Sequence, residues 1–220
     1  MASPSPTGLP CPRLVIFDCD GVLFESREAN RAFYNCLLDR FGKLPLSEEA
    51  LDYVHMHTVF EAVDFLFPAE GERLAAHAYR QELDPEPFIR LMVGEPGVKE
   101  FLTFLRPAAK TAISTNRTTT IGQVLSHHGL SEFFDLVVSA LDVACPKPHP
   151  ESLNKIIAHF QLRPEEAVYI GDSVVDAEAA QRAGISLVAY KNPCLEADLH
   201  VNSFRDLKEW IQERGGGSSG

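Results

Sequence analysis

Residues 14–23 read Leu-Val-Ile-Phe-Asp-Cys-Asp-Gly-Val-Leu. Four apolar residues of strand composition run into Asp18 and Asp20, two carboxylates two positions apart, and Gly21 follows where the chain must turn tightly. The pattern predicts a short buried strand that ends in a charged turn. Two isolated aspartates fit a simple polar turn as readily as a functional pair, so the rest of the chain decides between these readings.

Four further apolar runs share this character: Thr111 to Ser114, Leu136 to Val138, Ala167 to Ile170 and Ile185 to Tyr190. Helical patterns separate them. Val98, Phe101, Leu102 and Leu105 recur at helical spacing after Pro96-Gly97, and a second helix is expected from about Arg117 to His128. A third starts at Pro150, and a fourth runs from about Val174 to Ala183 with Gly184 as its left-handed stop. Strands alternating with helices predict an α/β fold, a mainly parallel sheet covered on both faces.

One stretch breaks the alternation. Between about Ser26 and Val93 lie far more residues than one crossover needs, with no convincing strand and several helical pieces. These cover Arg27 to Phe41, with Phe33, Leu37 and Phe41 on one face, then segments near Thr58 to Phe67, Ala69 to Gln81 and Pro85 to Met92. The expectation is an inserted all-helical domain over 26–93, joined to a core of 13–25 and 94–214 by two crossings near Phe24 to Ser26 and Gly94 to Gly97. A hinge is expected there. Residues 1–12 are expected to be a disordered N-terminal segment and 215–220, reading GGGSSG, a flexible tail.

Composition narrows the function classes. The 220 residues are 45% hydrophobic and 23% charged, and 31 acidic against 20 basic side chains leave a net charge of −11. Nothing here offers the basic stripe that nucleic acid or an anionic membrane requires, so an anionic substrate must be captured locally. The five cysteines are scattered, with no C-x-x-C pair or zinc spacing, and are expected to be reduced thiols in a cytoplasmic protein. No signal peptide or spanning segment is read.

The chemistry-bearing residues gather at the ends of the strands, where open α/β sheets place their sites. The second run ends in Ser114-Thr115-Asn116, hydroxyls followed by a helix start whose free N–H groups suit an anion. Lys147 lies in Pro146-Lys147-Pro148, where the following proline holds it extended. The fourth run ends in Gly171-Asp172-Ser173-Val174-Val175-Asp176, whose acids read separately as a cap and a first-turn charge. Together, three strand ends and one stiff loop bring four carboxylates, a hydroxyl and a lysine toward one crevice. Two unit charges 4 Å apart repel by about 4 kcal/mol at an effective dielectric of 20, so such a cluster implies a cation. Oxygen ligands beside a phosphate suit Mg²⁺.

In order and spacing, Phe17-Asp18-Cys19-Asp20-Gly21-Val22-Leu23, Ser114-Thr115-Asn116, Lys147-Pro148 and Gly171-Asp172-Ser173 with Asp176 resemble the four motifs of the haloacid dehalogenase-like hydrolase superfamily. The resemblance spans Leu14 to about Trp210. Pro96-Gly97-Val98 and Ala183-Gly184 are similar to the phosphoglycolate phosphatase and β-phosphoglucomutase-like branch, in which a helical cap follows the first motif. It implies a Rossmann-like core and a Mg²⁺-dependent phosphatase acting on a small phosphate monoester, as monomer or homodimer. By the same resemblance Asp18 is the nucleophile that forms an aspartyl-phosphate and Asp20 is acid, then base. Asp18, the Asp20 backbone carbonyl and Asp172 are implied as metal ligands. Thr115 and Lys147 hold the phosphoryl oxygens and Asn116 contacts substrate. Asp176 orients Lys147 or a metal-bound water, and Ser114 replaces Thr115 if the register is shifted by one.

Asp20 argues against the haloalkanoic dehalogenases of the superfamily, which lack that acid. A single lysine in the insert, Lys43, argues against the phosphonatases, which use a cap lysine. The catalytic alternative is a sugar phosphomutase using the same core residues, and the non-catalytic one is a phosphate-binding module. A signalling receiver domain is disfavoured because its phosphorylated aspartate lies on a later strand. His55 and His57, His127-His128 and the insert arginines Arg27, Arg31, Arg73, Arg80 and Arg90 are read as packing or solvated residues.

Overall fold

The computed structural model describes residues 11–215. The expectations for 1–12 and 215–220 fall, apart from Cys11, Pro12 and Gly215, outside those residues. In chain order the elements are β1 (Leu14–Phe17), β2 (Phe24–Glu25), α1 (Arg27–Arg40), α2 (Glu48–Met56), α3 (Val59–Leu66), α4 (Glu70–Glu82), α5 (Glu86–Ile89), β3 (Val93–Gly94), α6 (Val98–Leu105), β4 (Lys110–Ser114), α7 (Ile121–His127), β5 (Leu136–Val138), α8 (Glu151–Phe160), β6 (Ala167–Gly171), α9 (Val174–Ala183), β7 (Ser186–Tyr190), β8 (Leu199–Val201) and α10 (Phe204–Gly215).

Six strands form one parallel sheet in the order β5-β4-β1-β6-β7-β8. Strand β1 is central, with Leu14 opposite both Lys110 and Ala167. Its residues alternate between two cores. Val15 and Phe17 join a cluster with Phe101, Val124 and Phe204, whereas Leu14 and Ile16 join Leu153, Ile156 and Ala180 on the other face. Both faces are buried, so the strand reads as an unbroken apolar run. Because β1 lies at the middle of the sheet, its carboxyl end opens into the crevice between β4 and β6.

The helical insert between β2 and β3 packs its own core, in which Tyr34, Leu37, Leu51, Val63, Phe67 and Ala76 are buried. Sequence periodicity overlooked α2. Its start is set by Ser47, whose hydroxyl accepts the Ala50 N–H at 3.2 Å, and Leu51 and Val54 are its buried face. Helix α3 begins at a reciprocal cap in which Thr58 and Glu61 bond each other's backbone N–H groups. The two crossings are also more ordered than open hinges: β2 and β3 pair antiparallel, Phe24 opposite Gly94 and Glu25 opposite Val93.

Two further differences bear on the site. The helix expected from Arg117 begins only at Ile121, because the Arg117 N–H bonds the Thr115 hydroxyl at 3.0 Å and β-branched Thr118, Thr119 and Thr120 follow. The edge strand β8, three residues long, carried too little apolar pattern to be read. At the end of α9, Gly184 takes φ +69°, the left-handed stop that the sequence required.

Candidate active site

Asp18 leaves β1 with its N–H still bonded to the Ile170 carbonyl at 2.9 Å, so β6 fixes where its carboxylate starts. The next turn closes through Gly21, whose N–H meets the Phe24 carbonyl at 2.8 Å at φ +81°. Glycine is required twice over here. A Cβ at position 21 would fall on the Asp172 carboxylate from the end of β6.

Lys147 is the hub. Its ammonium donates to Asp18 Oδ1 at 2.8 Å, to Asp176 Oδ1 at 2.7 Å and to the Tyr169 hydroxyl at 2.8 Å, which uses all three N–H groups. The side chain is 2% exposed. Burial works against its charge, yet Asp176 and Asp18 outweigh that cost and push the ammonium above the usual lysine range. Tyr169 in turn donates to Asp176 Oδ1 at 2.6 Å, and the other Asp176 oxygen takes the Ser173 N–H and hydroxyl. Burial would raise the Asp176 carboxyl, but Lys147 and these donors hold it below the usual range.

Asp18 shares only the Lys147 ammonium, and Asp172 lacks even that bond. Burial raises Asp18 to about 7, with Lys147 lowering it and Asp176 raising it again. Asp172 is pushed well above the usual range by burial and by the charges of Asp176 and Asp18. No hydrogen bond reaches its carboxylate among the described residues. Oxygens of Asp18, Asp172 and Asp176 lie within 4.8 Å of one another. Three carboxylates therefore cluster beside one ammonium, which bonds two of them. Because Asp176 is saturated by Lys147, Tyr169 and Ser173, Asp18 and Asp172 are left as an oxygen pair that could hold a hard divalent cation.

Asp20 has a different partner. Arg117 grips it with both prongs, Nε to Oδ2 at 3.1 Å and Nη2 to Oδ1 at 2.5 Å, and a third nitrogen reaches the Thr120 hydroxyl at 3.1 Å. Burial would raise the Asp20 carboxyl, but the guanidinium prevails and holds it down to about 2. Sequence reading missed Arg117 by placing it inside a helix; its position directly after Thr115-Asn116 was the available signal. Tyr169 was missed because a tyrosine within an apolar strand reads as core.

Thr115 is buried at the end of β4 and lines the cavity beside Asp18 and Lys147. Ser114 instead pairs its hydroxyl with that of Ser152 at 2.8 Å, inside the core, so no shift of register is needed. Asn116, expected to touch substrate, has its amide committed elsewhere. Its oxygen accepts the Lys147 N–H at 3.0 Å, and its nitrogen donates to the carbonyls of Lys147 and Met56, each at 3.0 Å. It clamps the lysine loop and ties the end of α2 to the core.

These groups sit at the base of a cavity of about 930 Å³ whose other wall is the insert, including Tyr34, His55, His57, Phe60 and Arg80. His55 and His57, read as packing residues, line this cavity. His57 Nδ1 donates to the Tyr53 carbonyl at 2.8 Å, and His55 Nδ1 meets the Asn30 amide at 2.9 Å. Among the described residues no helix is long and apolar enough to cross a membrane.

A profile of the family described as haloacid dehalogenase-like hydrolase matches residues 15–190. A phosphoglycolate phosphatase of Rhodobacter capsulatus is 32% identical over 209 residues, covering 88% of this chain and 92% of that protein. The pyrophosphatase PpaX of Bacillus cereus is 29% identical over 180 residues, covering 80% and 81%. Among solved structures, a HAD-superfamily hydrolase of subfamily IA, variant 1, from Geobacter sulfurreducens superposes with a TM-score of 0.75 at 36% identity, covering 93% of this chain and 99% of that one. With a helical insert after its first strand and its acidic cluster at the ends of β1 and β6, the chain belongs to the haloacid dehalogenase-like hydrolases.

Proposed function

We propose that the protein is a Mg²⁺-dependent phosphatase that hydrolyses a small phosphate monoester through an aspartyl-phosphate on Asp18. The observation that carries this reading is the placement of Lys147, its ammonium 2.8 Å from Asp18 and 2.7 Å from Asp176 at the floor of the cavity. A phosphoryl group brought to Asp18 meets a fixed positive charge on one side and the Thr115 hydroxyl on another. Charge that spreads over the transferring oxygens is stabilised where it develops.

In this mechanism Asp18 Oδ attacks phosphorus, the ester oxygen leaves, and Asp20 supplies its proton. Asp20 then takes a proton from the water that cleaves the aspartyl-phosphate. Because Arg117 keeps the Asp20 carboxyl ionised at neutral pH, proton donation requires the pair to open as substrate enters. Asp176 acts through Lys147, which it orients. Mg²⁺ held by Asp18, Asp172 and the Asp20 carbonyl would neutralise the phosphate beside Asp18. We assign residues 26–93 as the cap that sets the leaving group and 13–25 with 94–214 as the catalytic core. The relatives' names point to phosphoglycolate and pyrophosphate as first substrates for the panel.

The test compares Asp18→Asn with Asp20→Asn on an aryl phosphate whose leaving group needs little protonation. Asp18→Asn should be inert. Asp20→Asn should release about one aryl alcohol per active site in a burst and then stall, with a phosphoryl group trapped on Asp18 and visible by mass spectrometry. Turnover of Asp20→Asn at the parent rate, or a label on another residue, would overturn the mechanism.

A further inference from the structure

The loop that carries Lys147 has a second side. Lys147 points inward, while Cys145 and His149, two residues to either side of it, are exposed. Glu151 opens α8 and folds back beneath the loop. Its carboxylate accepts the Ala144 N–H through Oε1 and the Cys145 N–H through Oε2, each at 2.9 Å, which fixes where it stands and keeps it ionised. His149 Nδ1 lies 4.0 Å from Glu151 Oε2. One ligand atom from each of the three residues lies within 4.8 Å of the other two.

We propose that Cys145, His149 and Glu151 form a binding site for a zinc-class divalent cation on the outer face of the lysine loop, with water as the fourth ligand. With metal bonds of roughly 2.0–2.3 Å in a tetrahedron, neighbouring donors stand about 3.4–3.6 Å apart. The cluster therefore has to close by no more than a little over an ångström, and by about half of that between His149 and Glu151, which exposed side chains accomplish by rotation around the pinned carboxylate. The Glu151 oxygens retain lone pairs beyond those given to the amides, and the Cys145 sulfur has no partner among the described residues.

The donor set selects the ion. A thiolate and an imidazole favour Zn²⁺ and its analogues over Mg²⁺, whereas the Asp18 and Asp172 oxygens favour the reverse. Two chemically distinct cation sites thus flank Lys147. On binding, the Cys145 thiol proton passes to solvent, the sulfur and the His149 nitrogen each donate an electron pair to the ion, and the ion sheds waters in exchange. No redox change occurs. The ring of three ligands fastens the segment 145–151 from outside, on the side away from Asp18. The sequence spacing, C-x₃-H-x-E, differs from the paired-cysteine patterns by which zinc sites are read, because here the helix start supplies the third donor.

The experiment uses the full chain with Mg²⁺ in excess and titrates Co²⁺ while the near-ultraviolet thiolate-to-cobalt band is recorded, followed by displacement with Zn²⁺. The expected result is one thiolate-ligated cobalt per chain, displaced by one equivalent of Zn²⁺. Cys145→Ser should abolish the band, and His149→Ala should weaken binding at least tenfold. Asp172→Asn should retain the band, since that side chain belongs to the oxygen site. Turnover of Cys145→Ser in zinc-free buffer should equal the parent's. Absence of a thiolate band, or a band and affinity unchanged in Cys145→Ser, would overturn the assignment.

Discussion

Replacing Lys147 by methionine keeps the length of the side chain and deletes the charge. Among the described residues the ammonium is the only cation bonded to Asp18 and Asp176, and their oxygens lie within 4.8 Å of each other. At that upper limit two carboxylates, when both are ionised, repel by about 3.5 kcal/mol at an effective dielectric of 20. Removing one partner of a buried ion pair costs about 3–5 kcal/mol by direct measurement, so the two figures agree. Lys147→Met should therefore lose about 3–5 kcal/mol of a total stability of about 5–15 kcal/mol. The assay is urea unfolding at pH 7.5 in the presence of a chelator. In the variant both carboxyls lie above their unfolded values, so their protonated forms favour the folded state at low pH and that benefit is lost as pH rises. The deficit should be larger at pH 7.5 than at pH 5.5. Adding Asp176→Asn to Lys147→Met removes the repulsion and should recover at least half of the loss. A deficit below about 1 kcal/mol, or a double variant no more stable than the single one, would refute the reasoning.

Arg117→Gln should destabilise the fold fully above pH 5, where Asp20 is ionised in both states. Since the folded value of about 2 lies below the unfolded one, the stability that Asp20 contributes is lost as pH falls, and the gap between variant and parent should narrow below pH 4. A gap that is constant from pH 7 to pH 3 in urea titrations would contradict this. Gly21→Ala forces an L residue into the left-handed region, at a cost of about 1–2 kcal/mol, and drives its Cβ into Asp172. The Mg²⁺ concentration for half-maximal activity should rise about 10–100-fold, and an unchanged value would sink the assignment of Asp172. Exhaustive chelation should abolish turnover, and restoring Mg²⁺ to about 100 times its dissociation constant should add about 2.7 kcal/mol of stability. Undiminished turnover in chelator would remove the metal from the mechanism.

Much of this architecture was written locally. Leu14 to Phe17 announces a strand buried on both faces, Gly184 announces a left-handed stop, and Pro148 announces a stiff segment at Lys147. Asp18, Lys147, Asp172 and Asp176 were each marked by their position at strand ends or in a stiff loop, and the fold brings them together. What escaped depends on contacts between distant residues. Arg117 meets Asp20 across 97 positions, and Asn116 meets Lys147 across 31 and Met56 across 60. No local periodicity records such pairs. Tyr169 was hidden by its surroundings: its ring satisfies the apolar pattern of β6 while its hydroxyl serves Lys147 and Asp176. Helix α2 escaped for a third reason, since nine residues with two buried ones give a weak stripe whose main signal is the Ser47 cap.

The antiparallel pairing of Phe24 with Gly94 and Glu25 with Val93 means that the chain leaves the sheet and returns to it through a single doorway. Everything from Ser26 to Met92 could be exchanged for a two-residue turn and the same ladder would still close as a hairpin. Lengthening the excursion is almost as easy, because each doubling of a loop adds only about 0.6 kcal/mol to its closure. The excursion can therefore be rewritten by mutation, insertion or replacement while the carboxylates at the ends of β1 and β6 keep their register. A lineage with this plumbing can trade one leaving group for another without renegotiating how phosphorus is attacked.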